Sequence, residues 1–339
     1  MTGGAEPALW DGRGVTISEV LAQLAELRVD PDGDAPLSLA GVLNLVAVAP
    51  GDHADVAEVE KVLGHLADHQ PSRAVLVQIG GEGEGIDAHV SSSCSLGSGT
   101  SVCFEKVVLT MRGDALKGAA SAVVPLLRPE LPSFLWWPAS PAPDDPLLES
   151  LSGLAGRLVT ETARDRDDAE GLQALGGAVE AGGPAVTDLA WAAVTPWRQL
   201  MAQILRPGDL DALRSGATMA AVSHGSTEPS VKALLVAGWL RDVVGPGLWV
   251  ELHARPGNTG RIEGITIEST TGLSFAVERV EDRRAVALTV SRSGRATGRR
   301  VLPLGAPIRS YLLAGELELQ GPDPSFEGAV HSALELAAA

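Results

Sequence analysis

With 339 residues, 45% of them hydrophobic and 20% charged, the chain has apolar material enough for two domains with sizeable cores, which excludes a disordered segment. Forty-three acidic against 26 basic residues leave a net charge of −17, which argues against nucleic acid or an anionic membrane as partner. No apolar run reaches the roughly 18 residues of a bilayer span, the first ten residues lack the pattern of a signal peptide, and two cysteines fit a reducing cytoplasmic location better than a disulfide scaffold.

Residues 1–14 are Gly-rich and read as loose. Thr16 or Ser18 is placed to cap a helix through Arg28, with Val20, Leu21, Leu24 and Leu27 on one face. The almost wholly apolar run 39–49 predicts a strand covered on both faces. An amphipathic helix over 52–69 and a strand over 73–79 follow. Glycines 81, 83 and 85 alternate with Glu82 and Glu84, whose carboxylates would repel a phosphate, so this run is a hairpin loop and not a nucleotide fingerprint. Strands over 86–94 and 102–111 are expected to pair, and a helix spans 114–127. Residues 131–165 then read as strand, crossover helix and strand. Asp144 or Asp145 caps the helix, Pro146 sits in its first turn, and Trp136, Trp137 and the 160–165 loop fall at strand ends, where α/β sheets place ligands and partners. Neighbouring strand residues point to opposite faces, so one core takes both tryptophans only if both faces are covered.

A helix over 167–180 leads to the linker candidate 181–185. Beyond it Pro196 starts a helix to Leu205, 217–223 is a strand, and 229–244 is a helix capped by Ser226 or Thr227. Short strands over 261–269, 273–280, 285–291 and 299–302 have meander spacing, and helices over 305–319 and 324–338 close the chain. The fold expected is an α/β N-terminal domain (1–184), built of βα units around a mixed sheet, followed by an α+β C-terminal domain (185–339) with an antiparallel meander.

Candidate chemistry is sparse. His65 and His69 have helical ligand spacing but no third ligand nearby. Ser223, His224 and Glu228 are close in sequence, which does not make a triad. No P-loop, nucleophile elbow or zinc-protease helix occurs. Between Arg241 and Arg309 there are eleven Arg and no Lys against seven acidic residues, a local surplus of four positive charges. Arg279, Arg283, Arg284, Arg292, Arg295, Arg299 and Arg300 supply guanidinium forks suited to carboxylates or phosphates. An acidic partner surface, a sugar-phosphate site and internal ion pairs all fit them.

The segments LPSFLWWPASP and RLVTETARD within 131–165, and Asp-Leu-Ala-Trp-Ala-Ala-Val-Thr-Pro-Trp-Arg-Gln-Leu at 188–200, resemble the signature blocks of the OpcA family of glucose-6-phosphate dehydrogenase assembly proteins. The resemblance runs from about residue 43 to the last helix. It implies a non-catalytic protein, without cofactor or metal, that binds glucose-6-phosphate dehydrogenase and promotes its active oligomer. Candidate partner-binding residues are Trp136, Trp137, Arg164, Arg198, Arg283 and Arg284, whereas Trp191 and Trp197, set among helical apolar residues, read as structural. The family carries cysteines in the region of Cys94 and Cys103, which lie near the ends of two expected hairpin strands. A redox pair and two reduced buried thiols are both consistent with that placement. The alternative to a partner protein is an α/β enzyme or sugar-phosphate binder using the strand-end loops and the arginine patch.

Overall fold

The computed structural model describes residues 8–27, 41–49, 53–67, 70–97, 100–206, 208–255, 257, 260–280 and 284–338. In chain order the first part contains β1 (Ala8–Gly12), α1 (Ile17–Glu26), β2 (Leu43–Ala49), α2 (His53–Ala67), β3 (Ser72–Ile79), β4 (Gly85–Gly97), β5 (Thr100–Arg112), α3 (Asp114–Lys117), α4 (Ala119–Val123), β6 (Ser133–Trp137), α5 (Pro146–Ser152), β7 (Arg157–Thr160), α6 (Ala169–Glu180) and β8 (Ala185–Asp188). The second contains α7 (Leu189–Ile204), α8 (Asp209–Gly216), β9 (Ala217–His224), α9 (Val231–Val244), β10 (Trp249–Ala254), β11 (Ile262–Ser269), β12 (Leu273–Arg279), β13 (Ala285–Arg292), β14 (Arg295–Pro303), α10 (Arg309–Leu317) and α11 (Pro324–Ala338).

The first eight strands form one mixed sheet in the order β1-β4-β5-β3-β2-β6-β7-β8. Its strands from β5 through β3, β2, β6 and β7 to β8 run parallel, while β4 and β1 add an antiparallel edge. The other six form a second sheet, β10-β9-β11-β12-β13-β14, antiparallel except where α9 carries the chain from β9 to the parallel β10. An α/β half followed by an α+β half with a meander is what the pattern of periodicities requires.

The centre of the first sheet explains its apolar runs. All seven residues of β2 are buried, and they alternate between two cores. Leu45 and Ala47 face α2, together with Phe134 and Trp136 of β6; Val46 and Val48 face the opposite core, with Leu135 and Trp137. Period-two alternation with both faces covered is the signature of a buried parallel strand. It also gives the adjacent tryptophans one core each.

Several elements depart from expectation. Residues 8–12, read as loose, pair with β4 as an antiparallel edge strand. The helix of the second tryptophan block begins at Leu189 and runs through Pro196 instead of starting there; Asp188 caps it by accepting from the Ala190 amide. Helix α9 is capped by Ser230, whose hydroxyl accepts from the Ala233 amide, and not by Ser226 or Thr227. Ser226 instead bonds the His224 ring at 3.1 Å. Helix 114–127 breaks at Gly118 into two short pieces and a 3-10 turn. Neither α8 nor β10 was legible, the latter because Trp249–Ala254 joins a parallel edge through a long crossover.

The two sheets share helices. Residues 181–184 are the turn into β8, so the change of sheet falls within α7 and α8. Helix α10 comes from the end of the chain, yet its Leu313 and Leu317 bury against α2 in the core of the first sheet. Helix α11 packs on both α6 and α9. The α9–α11 crossing is close enough that a Cβ on Gly238 would lie 2.0 Å from the Ala329 carbonyl oxygen, which is why a glycine stands there.

Candidate functional site: the strand ends beneath the last helices

Pairing is parallel through β2, β6 and β7, so their carboxyl ends open on the same rim, and 161–166 crosses that rim immediately after β7. The charged groups there are almost all engaged with one another. The Arg309 guanidinium, at the start of α10, grips the Glu161 carboxylate through Nε (2.8 Å) and Nη2, and its Nη1 lies 3.5 Å from Glu58 on α2. It also sits 5.0 Å above the centroid of the Trp136 ring, within cation–π range. Arg164 reaches the other way, to Asp55 and, at 3.1 Å, to Glu58. Burial pushes the Glu161 carboxyl above its usual range against the pull of Arg309 and Arg164.

Asp188, fully buried at the end of β8, ties three segments together. It accepts from the Thr160 hydroxyl (2.8 Å), the Thr162 amide (2.8 Å) and the Ala190 amide (2.7 Å). Burial raises its pKa, and the donated hydrogen bonds oppose that rise. Below the rim, buried Arg157 bonds Glu316 of α10 at 2.9 Å and the Gly321 carbonyl at 2.6 Å. Arg309 and Arg157 thus latch both ends of α10 to the first sheet.

Around this latched helix lie three cavities. One of about 330 Å³ is lined by Glu58, Glu161, Arg164, Lys232 and Arg309. A neighbour of about 330 Å³ shares Ala193, Lys232, Pro307 and Leu312 with it, and extends over Trp197 to Arg261, Arg279 and Arg284. The third, about 350 Å³, lies between α7 and α10 and contains Arg198. The Arg198 guanidinium stacks 3.4 Å from the Trp191 centroid and donates to the Thr195 hydroxyl at 2.7 Å. Burial pulls its pKa down to about 10, with Asp323 and Glu316 near enough to oppose the shift. Between the cavities the surface is apolar: Ile308, Tyr311 and Leu319 are 51%, 58% and 47% exposed.

The structure therefore separates the residues that sequence reasoning grouped. Trp136 and Trp137 are 0% and 4% exposed, one in each core, so neither offers its ring as an anchor at the surface of this chain. Trp191 and Trp197 are buried as well; the Trp191 indole donates to Asp323, and Trp197 floors a cavity. Arg164 and Arg198 reach cavities, and Arg284 is exposed at the rim of one. Arg283, with Glu281 and Asp282, lies outside the described residues. Of the remaining arginines, Arg292 pairs with Asp209 at 2.8 Å, Arg279 donates to the Ile262 carbonyl, and Arg295, Arg299 and Arg300 line the exposed β14. Cys94 and Cys103 are direct register partners across β4 and β5; their side chains lie outside the description. His65 is exposed, and no group of metal-ligating side chains occurs among the described residues. Sequence reasoning missed Arg309, Lys232 and the Arg157–Glu316 pair, since no local pattern announces that α10 returns to the first sheet. Glu161 and Asp188 were within the quoted blocks but carried no signal of burial.

Fold and rim together define a two-sheet α/β protein whose penultimate helix is latched across the strand ends, with charged cavities and exposed apolar side chains on either side of it. Two family models match in succession: the glucose-6-phosphate dehydrogenase subunit N-terminal domain over residues 64–176, and the C-terminal domain of that subunit over residues 184–330. The chain belongs to the OpcA family. It is 29% identical over 184 residues to the "Putative OxPP cycle protein OpcA" of Nostoc punctiforme, covering 53% of this chain and 39% of the relative. Over 179 residues it is 24% identical to the protein of the same name from Synechocystis sp., covering 52% and 37%. The matches thus span well under half the length of these relatives. No helix among the described residues is long and apolar enough to cross a membrane.

Proposed function

We propose that the chain is a non-catalytic partner of glucose-6-phosphate dehydrogenase, acting in the cytoplasm, that docks on the enzyme and favours its active oligomer. The observation that carries this reading is the succession of two family models, each described as a domain of a subunit of that enzyme, along 64–176 and 184–330. The rim geometry supports it. Exposed Ile308, Tyr311 and Leu319 beside the guanidiniums of Arg198 and Arg284 give the apolar-plus-arginine composition of interface hot spots. The paired carboxylates and guanidiniums of the strand ends are spent on holding α10, which presents that face.

The mechanism is linkage. A partner that binds the active oligomer better than the other states shifts the population toward it, and tenfold activation takes about 1.4 kcal/mol of differential binding. The test mixes the chain with glucose-6-phosphate dehydrogenase from the same source and follows size-exclusion mass together with NADPH formation. Co-elution in a larger species with a raised rate is expected; no co-elution and no rate change at micromolar concentrations and low salt rejects the proposal. Replacing Tyr311 and Leu319 by Ser should weaken co-elution without unfolding the chain, because both side chains are exposed.

A further inference from the structure

The cavity over Trp197 is charged quite differently from its neighbour on the strand rim. Four cations line it: Lys232 from the first turn of α9, Arg261 beside β11, Arg279 at the end of β12 and Arg284 before β13. No Asp or Glu is among its lining residues. Two carboxylates among the described residues lie beside these cations, apart from Glu58 and Glu161 of the adjoining cavity, which shares Lys232. Glu263 lies 3.5 Å from the Arg279 Nε, and Asp167 accepts from the Val231 amide and approaches Gly260 behind Lys232. Counting both, the four cations keep a surplus of two positive charges, in a chain whose net charge is −17. Arg261 and Arg284 take part in no ion pair among the described residues.

Lys232 and Arg279 are anchored by backbone carbonyls, whereas Arg261 and Arg284 are exposed at the cavity mouth. Gly260, at φ +68°, brings its carbonyl to 3.3 Å from the Lys232 ammonium. Arg279 is fixed by the Ile262 carbonyl at 3.1 Å and lies 5.5 Å from the Trp197 ring centroid, so it is half-buried and oriented. Burial lowers its pKa, a cost that Glu263 offsets only in part while Arg261 adds to it. Concentrating like charges around a concave space is unfavourable unless an anion enters. Val194, Trp197, Leu304 and Ile308 supply the apolar part of the lining.

We propose that this cavity is a binding site for a small phosphorylated metabolite, its phosphate between Lys232, Arg261 and Arg284 and its organic part against Trp197 and Ile308. The volume of about 330 Å³ is at the lower end of the roughly 300–1,000 Å³ of ligand pockets, which suits a sugar phosphate. Guanidinium forks match the doubly charged phosphate oxygens, and an ammonium adds a point charge. Because the site adjoins Ile308 and Tyr311, an occupant would couple to whatever docks on the exposed face of α10.

The test uses the chain alone, so it stands apart from the dehydrogenase reading. Glucose 6-phosphate, inorganic phosphate and glucose are titrated calorimetrically at low ionic strength into the wild type and into the Arg261→Glu/Arg284→Glu double variant. Unchanged circular dichroism and melting temperature establish that the variant is folded. Binding of glucose 6-phosphate and, more weakly, of phosphate, no binding of glucose, and at least about tenfold weakening in the variant are expected. Absence of phosphate-dependent heat, or equal affinity in the two proteins, overturns the proposal. If neither phosphate compound binds and the double variant instead loses co-elution with the dehydrogenase, the cations contact an acidic protein surface and the small-molecule site is rejected. Binding of glucose 6-phosphate without any co-elution upholds the site and removes the partner reading.

Discussion

The latch between Arg157 and Glu316 gives the sharpest energetic prediction. Arg157 opens β7 and is 1% exposed; its guanidinium reaches Glu316, 6% exposed on α10, and the carbonyl of Gly321 just beyond that helix. Truncation to Ala leaves the Glu316 carboxylate buried without the cation it is hydrogen-bonded to, Arg198 across the neighbouring cavity being the positive charge that remains near it. Removing one partner of a buried pair costs about 3–5 kcal/mol, against a total of about 5–15 kcal/mol for folded proteins. The assay is urea unfolding followed by circular dichroism, with tryptophan fluorescence checking that one transition is observed. At a slope near 3 kcal/mol per molar the midpoint should fall by about 1–1.7 M urea. The paired replacement Arg157→Met/Glu316→Leu removes both charges and should recover most of the loss, since apolar substitutes for a buried pair are often neutral or stabilising. A loss below about 1 kcal/mol in Arg157→Ala, or a double variant as unstable as the single one, would refute the claim that this pair fixes α10 to the first sheet.

Three further outcomes are expected. Gly238→Ala should lower the melting temperature by an amount equivalent to at least about 1–3 kcal/mol, because its Cβ meets the Ala329 carbonyl and the Ala333 amide, which are backbone and cannot move aside; Gly64→Ala, in open space on α2, should instead stabilise by about 0.5–1 kcal/mol, and the same sign at both positions would contradict the reading. Burial raises the Asp188 pKa above its unfolded value, so its contribution to stability is fully present below the unfolded pKa of about 4 and is lost as pH rises through the folded value. The stability gap between wild type and Asp188→Asn should therefore be widest in acid and narrow toward neutrality; a gap that stays flat from pH 4 to 8 counts against it. Cys94 and Cys103 are direct register partners of β4 and β5, and directly opposed residues of an antiparallel pair have Cα atoms about 4.5–5.5 Å apart, inside the range a disulfide takes. Mild oxidation should abolish both titratable thiols in the monomer, whereas two persisting thiols would show that the strands do not present them to each other.

Much of this architecture is written locally. Burial of β2 on both faces, the Asp145 cap and Pro146 start of α5, and the meander of β11 to β14 all follow from residue periodicity and turn chemistry, which act over a few neighbours. The adjacent Trp136 and Trp137 already require a sheet covered on both sides. The candidate site was legible only as sequence blocks, because the same tryptophans that mark those blocks turned out to be interior, and a side chain's burial depends on elements far away in the chain. Pro196 could not be read as internal to α7 without knowing that Asp188, at the end of β8, caps the helix seven residues earlier. The tertiary structure alone decided that β1 and β10 find partners, that α10 crosses back to the α2 face, and that Lys232, Arg261, Arg279 and Arg284 surround one cavity. Such meetings join segments up to about 160 residues apart, as Arg157 and Glu316 are, and no period in a sequence encodes them; they are settled by which apolar faces remain to be buried once the local elements exist.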